Sequence, residues 1–329
     1  MQKWRIPVGE TLSGTLFLTF RIFEVRKPGP TLGVISGVHG SEFSSIGGLK
    51  LFLDDLKKIP VDEFCGRVIL LPFANPLALM QGSWELRMGV GGPGENLNRQ
   101  FPGDPAGEMG KRLAHVITSF FTKTPPVDLF IDVHAMSFRS LPCVILDRWR
   151  GEKSLLDQTR KAAEEFGLGV VHEMPDEETE KVGLNRCSTV AMLERGVSAF
   201  TVEVPGGEFS RPESAELVRM GLWNMVRYLG ILPKDQYLFW QDPSRMLVGV
   251  GVLGRLPGVR CSRAGFFEPS VEAGLWRKKG DIIGKIFDEA LDWVEIIRSP
   301  AEGLVGTIED VSIVSSGDEL FELWVPEAK

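Results

Sequence analysis

A chain of 329 residues, 43% hydrophobic and 25% charged, has room for two domains and a sizeable buried core. A formal net charge of -7 and a pI near 5.4 argue against nucleic acid or an anionic membrane as partner, because phosphate binding is carried by Lys and Arg. Four widely spaced cysteines, Cys65, Cys143, Cys187 and Cys261, form no C-x-x-C pair and so suggest neither a disulfide framework nor a thiolate metal cage, which leaves reduced thiols as the expectation.

The chain starts Met1-Gln2-Lys3-Trp4-Arg5-Ile6-Pro7-Val8, without the apolar core of a signal peptide, and no uncharged apolar stretch is long enough to span a bilayer. A cytoplasmic protein is expected. Leu16, Leu18, Phe20 and Ile22 alternate as in a strand, Lys27 to Pro30 breaks the run, and Leu32 to Ser36 reads as a buried strand. Phe43, Ile46, Leu49, Leu53 and Leu56 then recur at helical spacing. Further strands are expected at Val68 to Phe73, Leu129 to Val133, Leu168 to His172 and Ala199 to Val204, and helices at Ala106 to Phe121, Leu155 to Phe166, Ser188 to Arg195 and Ser214 to Leu229. Met174 to Lys181 reads as a charged surface loop. This alternation indicates an α/β domain with a mixed sheet and helices on both faces, residues 1–240.

Beyond residue 240 the pattern changes to short apolar runs between Gly, Pro and Asp turns, so residues 241–329 are expected to form a smaller all-β domain. Lys279-Gly280-Asp281-Ile282-Ile283 resembles Ser316-Gly317-Asp318-Glu319-Leu320, as two similar hairpin units of a sandwich would.

Only four histidines are present, and two stand at the ends of expected buried strands. His39 lies in Gly37-Val38-His39-Gly40-Ser41-Glu42, and His134 follows Leu129 to Val133. In an open α/β sheet, sites form at the carboxyl edge of the strands. Two such histidines with Glu42 supply the two His and one acidic ligand that a catalytic zinc takes beside a water. The turn around Ser41 could instead simply cap the helix that follows, Glu42 favouring its N-terminal dipole. Glu203, in an apolar strand where an unpaired carboxylate is costly, is the candidate general base. Arg87 and Arg99 are available for a developing oxyanion or a substrate carboxylate. His115 and His172 read as structural or solvent-facing. The run Gly89 to Gly94 satisfies G-x-G-x-x-G but follows no buried strand and opens no helix, so a dinucleotide site is not expected.

Taken together, the turn at His39 and Glu42, then Asn75-Pro76 with Ala78, Gly82 and Arg87, then Asn96 to Asp104, Asp132-Val133-His134 and Thr201-Val202-Glu203 resemble the succinylglutamate desuccinylase and aspartoacylase family, a branch of the carboxypeptidase A-like zinc hydrolases. The resemblance implies a zinc carboxypeptidase-like α/β domain followed by a lipoyl-like β sandwich. It implies one zinc ion on His39, Glu42 and His134, Glu203 as general base, Arg87 polarising the carbonyl, and Asn98 with Arg99 holding a substrate carboxylate. Arg139, just after His134, is a further candidate substrate contact.

The activity so implied is hydrolysis of the amide in a small N-acylated amino acid. A metallocarboxypeptidase acting on short peptides is the near alternative, and a catalytically silent relative serving as a binding module is the alternative of another class. The carboxypeptidase tyrosine has no counterpart upstream of Glu203, since both tyrosines, Tyr228 and Tyr237, lie downstream. The β domain carries no Glu-Ala-Met-Lys signature for biotin or lipoate attachment. Expected partners are a small-molecule substrate, no nucleic acid and no membrane, with a homo-oligomer compatible with the sequence.

Overall fold

The structure, a computed structural model, describes residues 1–12, 14–25, 27–87, 94–123, 126–148, 151–232 and 252–327; the side chains of Val61 and Arg87 fall outside that description. In chain order, β1 (Gln2–Thr11), β2 (Gly14–Glu24) and β3 (Thr31–Ser36) lead to α1 (Phe43–Leu56), β4 (Arg67–Leu71) and α2 (Pro76–Gln81). A small ribbon of β5 (Leu86–Arg87) and β6 (Gly94–Glu95) precedes α3 (Met109–Lys123), β7 (Leu129–Met136), β8 (Arg139–Ser140) and β9 (Cys143–Leu146). Next come α4 (Lys153–Phe166), β10 (Gly169–His172), α5 (Asp176–Lys181), α6 (Ser188–Leu193), β11 (Ser198–Pro205) and α7 (Pro212–Tyr228). The chain resumes with β12 (Leu253–Arg255), β13 (Val259–Arg260), β14 (Gly265–Pro269), β15 (Trp276–Arg277), β16 (Ile282–Phe287), β17 (Trp293–Arg298), β18 (Gly303–Ile308), β19 (Ile313–Val314) and β20 (Glu319–Pro326).

The main sheet is mixed. Strands β4, β3, β7 and β11 are parallel neighbours, β2 and β9 flank them antiparallel, and β10 runs parallel to β9. β3 is buried along its whole length and β7 almost so, because helices cover both faces. One face packs Phe52, Phe166 and Trp223 from α1, α4 and α7, the other Phe101, Phe121 and Met192.

The all-β part is joined to this sheet by hydrogen bonds. β12 pairs in parallel with β10, and β20, β18 and β15 continue antiparallel from it. A second antiparallel sheet, β17-β16-β14-β19, faces β18 and β20 across a core of Phe267, Ile283, Ile286, Val305, Phe321 and Leu323. The all-β pattern expected late in the chain is present as a sandwich from β12 onward, and the expected boundary between residues 240 and 241 falls within 233–251, outside the described residues.

The internal repeat is structural. Gly280 and Gly317 both have positive φ, 90° and 97°, which a glycine adopts without a Cβ clash. Asp281 accepts the Lys278 N–H at 2.9 Å and Asp318 accepts the Ser315 N–H at 2.8 Å, so each turn is closed by the same aspartate bond before β16 and β20. Two sequence expectations change. Asp176–Lys181 is a short helix with no buried residue, started by three acidic side chains that suit its N-terminus, and not a loop. β1 and β9 are strands that the sequence reading did not include, β1 because it is mostly exposed.

Candidate metal centre and active site

The parallel strands deliver three groups to one place. Ser36, the last residue of β3, pairs with Val133 of β7, and Glu203 of β11 pairs with His134. His39 lies just beyond β3, and Glu42 is the N-cap residue of α1. Glu42 makes no side-chain capping bond. Its Oε1 lies 2.6 Å from His39 Nδ1, and its Oε2 lies 2.9 Å from His134 Nδ1 and accepts the Ala135 N–H at 3.0 Å. The helix start thus positions the carboxylate without using it.

The tautomers follow from the far ring nitrogens. Asn96 Oδ1 accepts the Asn98 N–H at 2.8 Å, which fixes the amide oxygen, and His39 Nε2 lies 3.1 Å from that oxygen. His134 Nε2 lies 3.0 Å from Asp132 Oδ2, in a geometry too bent for a straight hydrogen bond. Both contacts favour the proton on Nε2, as carboxylates and amides behind metal-ligating histidines do. Both Nδ1 atoms then present lone pairs, and they face each other at 3.2 Å beside a carboxylate. Lone pairs and anionic oxygens converging in this way repel unless a cation lies among them. The ligand atoms of His39, Glu42 and His134, all three buried, lie within 4.8 Å of one another, so the triad can hold a metal ion.

The electrostatics agree. Burial alone would raise the Glu42 carboxyl, but His39 and His134 outweigh it and hold it far below the usual carboxylate range. Burial would lower His134, but Asp132 and Glu42 outweigh it and hold its imidazole well above the usual histidine range. Without a metal the cluster therefore prefers to take up a proton. Glu203 behaves oppositely: burial, opposed by His134 and reinforced by the Glu42 charge, pushes its carboxyl up to about 8. Its Oε2 is buried and has no hydrogen-bond partner among the described residues.

These groups open onto a cavity of about 1270 Å³ that Asn98, Arg99 and Arg139 also line. Asn98 is buried, its Oδ1 accepting the Ser188 N–H at 3.0 Å, while Ser188 Oγ donates to Asp132. Arg99 donates from Nε to Val182 O at 2.7 Å and from Nη1 to Asn98 O at 2.9 Å. Arg139 donates from Nη2 to Glu309 O at 2.7 Å, tying the segment after β7 to the β sandwich. Arg87 lies in β5, and its side chain is outside the described residues, as is most of the Gly89 to Gly94 run. His115 and His172 lie elsewhere, the first near Ser119 on α3, the second 2.6 Å from Glu327.

Several cavity groups carry no local sequence signal. Arg255, Glu309 and Glu322 come from the all-β part. Arg255 sits between Glu173, 2.9 Å from Nη1, and Glu322, which accepts from Nη2. Glu309 accepts the Ser137 hydroxyl at 3.0 Å; burial, with Glu319 and Glu322 nearby, pushes it up to about 7 against that bond. Trp84 stacks on His39 and is a lone aromatic in a turn. Asn96 and Asp132 did have a signal, since both fall inside the motifs around the expected ligands.

No helix among the described residues is long and apolar enough to cross a membrane. All four cysteines are free thiols.

Comparison with known proteins agrees with this architecture. The chain is 25% identical over 326 residues to the N-alpha-acetyl-L-2,4-diaminobutyric acid deacetylase of Halomonas elongata, covering 96% of this chain and 88% of that one. A succinylglutamate desuccinylase structure from a Silicibacter species superposes with a TM-score of 0.80 at 20% identity, covering 98% of this chain and 93% of the other. A metallo-carboxypeptidase from Burkholderia cenocepacia shares the fold more distantly, with a TM-score of 0.51 at 18% identity over 69% of this chain and 64% of its own. The sequence profile of the succinylglutamate desuccinylase/aspartoacylase catalytic domain matches residues 28–229, and the chain belongs to that family of amide-bond deacylases.

Proposed function

We propose that the protein is a zinc-dependent deacylase that hydrolyses the amide of a small N-acylated amino acid. The observation that carries this reading is the pair of imidazole Nδ1 atoms, 3.2 Å apart beside the Glu42 carboxylate, with His134 paired across the sheet to Glu203, whose Oε2 has no hydrogen-bond partner among the described residues. Two imidazoles and a carboxylate are a donor set that suits zinc, with room for water or substrate at the open position. Bound on His39, Glu42 and His134, zinc would supply Lewis acidity to water and to the amide carbonyl.

Glu203 takes a proton from the attacking water and returns it to the amine nitrogen as the C–N bond breaks, so water is consumed and a carboxylic acid and an amine are released. Its raised affinity for protons suits the acid half of that task, and a cation held by His39, Glu42 and His134 would favour its ionised form for the base half. Arg87 polarises the carbonyl. Asn98 and Arg99 hold the substrate carboxylate, a role that suits a planar guanidinium, and Arg139 borders the same space. The named deacylase relatives support an N-acyl amino acid over a peptide. We also assign residues 1–240 to the hydrolase unit and 241–329 to the β unit, whose side chains wall the cavity and favour small substrates.

The test is Glu203→Gln, assayed on N-acyl amino acids and on short peptides, with zinc measured on the same preparations. Zinc content is expected to stay stoichiometric while kcat falls by about 10²- to 10⁴-fold. A fully active variant would remove Glu203 from the reaction, and wild-type turnover of peptides alone would favour the carboxypeptidase reading.

A further inference from the structure

Trp84 follows α2 in a turn that is bonded to the His39 segment, the Gly40 N–H donating to Trp84 O at 3.4 Å. Its side chain reaches two proposed metal ligands at once. The indole ring stacks on the His39 imidazole, with centroids 4.2 Å apart and planes 24° from parallel. Its Nε1–H donates to Glu42 Oε1 at 3.3 Å, the same oxygen that lies 2.6 Å from His39 Nδ1.

The other constraints on these ligands are one-sided. Asn96 holds His39 from Nε2, and the Ala135 N–H holds Glu42 from Oε2. Neither stops the imidazole from tilting out of its plane or Oε1 from swinging away. Trp84 closes both freedoms, since the stacked face blocks the tilt and the indole N–H retains the oxygen. The residue is nevertheless 46% exposed, so it is a poor candidate for a core residue.

We propose that Trp84 is a positioning residue that holds His39 and Glu42 in ligand geometry, and so raises the affinity of the site for its metal. This rests on the reading of His39, Glu42 and His134 as a zinc site. A tryptophan serves where a phenylalanine would not, because only the indole combines a stacking face with a donor.

The experiment is zinc binding by competition with a chromophoric chelator, on wild type, Trp84→Phe, Trp84→Ala and His39→Ala. Loss of a group that orients a ligand typically weakens metal binding by about 10- to 100-fold, which is expected for Trp84→Ala, with a smaller loss for Trp84→Phe. Unfolding of the metal-free protein is expected to be unchanged in Trp84→Phe, which a merely structural role would not allow. In the ¹H–¹⁵N spectrum of the indole groups, the signal missing from Trp84→Phe should move when zinc is added to the wild type. If both Trp84 variants bind zinc within twofold of wild type, or that signal stays still, the proposal is overturned. If His39→Ala also binds zinc normally, the metal-site reading falls with it; if His39→Ala loses zinc and the Trp84 variants do not, Trp84 alone falls.

Discussion

Arg255→Met should be one of the most damaging single changes outside the candidate metal centre. Arg255 is 14% exposed at its side chain, and the two carboxylates it joins, Glu173 and Glu322, are 5% and 10% exposed. At such burial solvent screens little, and removing one partner from a buried ion pair costs about 3–5 kcal/mol because an uncompensated charge remains. The two ends will not suffer equally. Glu173 Oε1 keeps the Met174 N–H at 2.8 Å, whereas Glu322 Oε2 already has no partner among the described residues. Most of the loss should therefore come from Glu322. Against a total stability of about 5–15 kcal/mol the change is roughly a fifth or more. Denaturant unfolding, with the slope checked for constancy, measures it. The Arg255→Met, Glu322→Gln double variant should recover a large share, since it removes the stranded charge. A loss below about 1 kcal/mol, or no recovery in the double variant, would show that the triad is solvated and the reasoning from burial wrong.

Glu309 gives a pH signature. Its folded value, about 7, lies above the 4.5 expected unfolded, so its contribution to stability is complete below pH 4.5 and is lost as pH rises toward 7. The span corresponds to at most about 3 kcal/mol. Glu309→Gln should flatten the stability profile between pH 4.5 and 7.5 and be the more stable protein at pH 8; parallel profiles for the two proteins would contradict this. Gly40→Ala tests the ligand turn, because a Cβ there would meet Ala78 backbone C at 2.2 Å and O at 2.3 Å, and neither can move aside cheaply. Forced overpacking costs about 1–3 kcal/mol. The expected result is a lower unfolding midpoint together with weaker zinc binding, and an unchanged protein in both assays would mean that the turn and α2 separate freely.

What could be read in advance was local. β3 is an apolar run that ends shortly before His39, and Leu129 to Val133 is one interrupted only by Asp132, so the histidine that follows each stands out, although β7 in fact continues past His134 to Met136. Glu203 is conspicuous within an apolar strand. The α helices with one apolar face, such as α3 and α7, were equally legible. The short helix Asp176–Lys181 was not, because a helix with no buried face leaves no periodicity. β1 hid for a related reason, lying exposed over its first four residues. The far wall of the cavity was beyond reach, since Glu309 meets Ser137 across 172 residues and Arg255 meets Glu173 across 82. Their types suit many surface positions, and only the closure of the chain makes them neighbours.

The ladder between β10 and β12 also bears on how the protein survives in a crowded solution. Val171 and His172 of β10 pair with Leu253 and Gly254, so this rim of the mixed sheet is covered by chain from beyond residue 251. An uncovered rim would offer a row of N–H and C=O groups to any extended segment that met it, the usual first step of edge-to-edge aggregation. Trimming the chain to its first 232 residues would bare that rim, and the shortened protein should clump during expression before loss of turnover could be measured. Selection on the sandwich strands would then persist even in a relative that had stopped using them to shape the cavity.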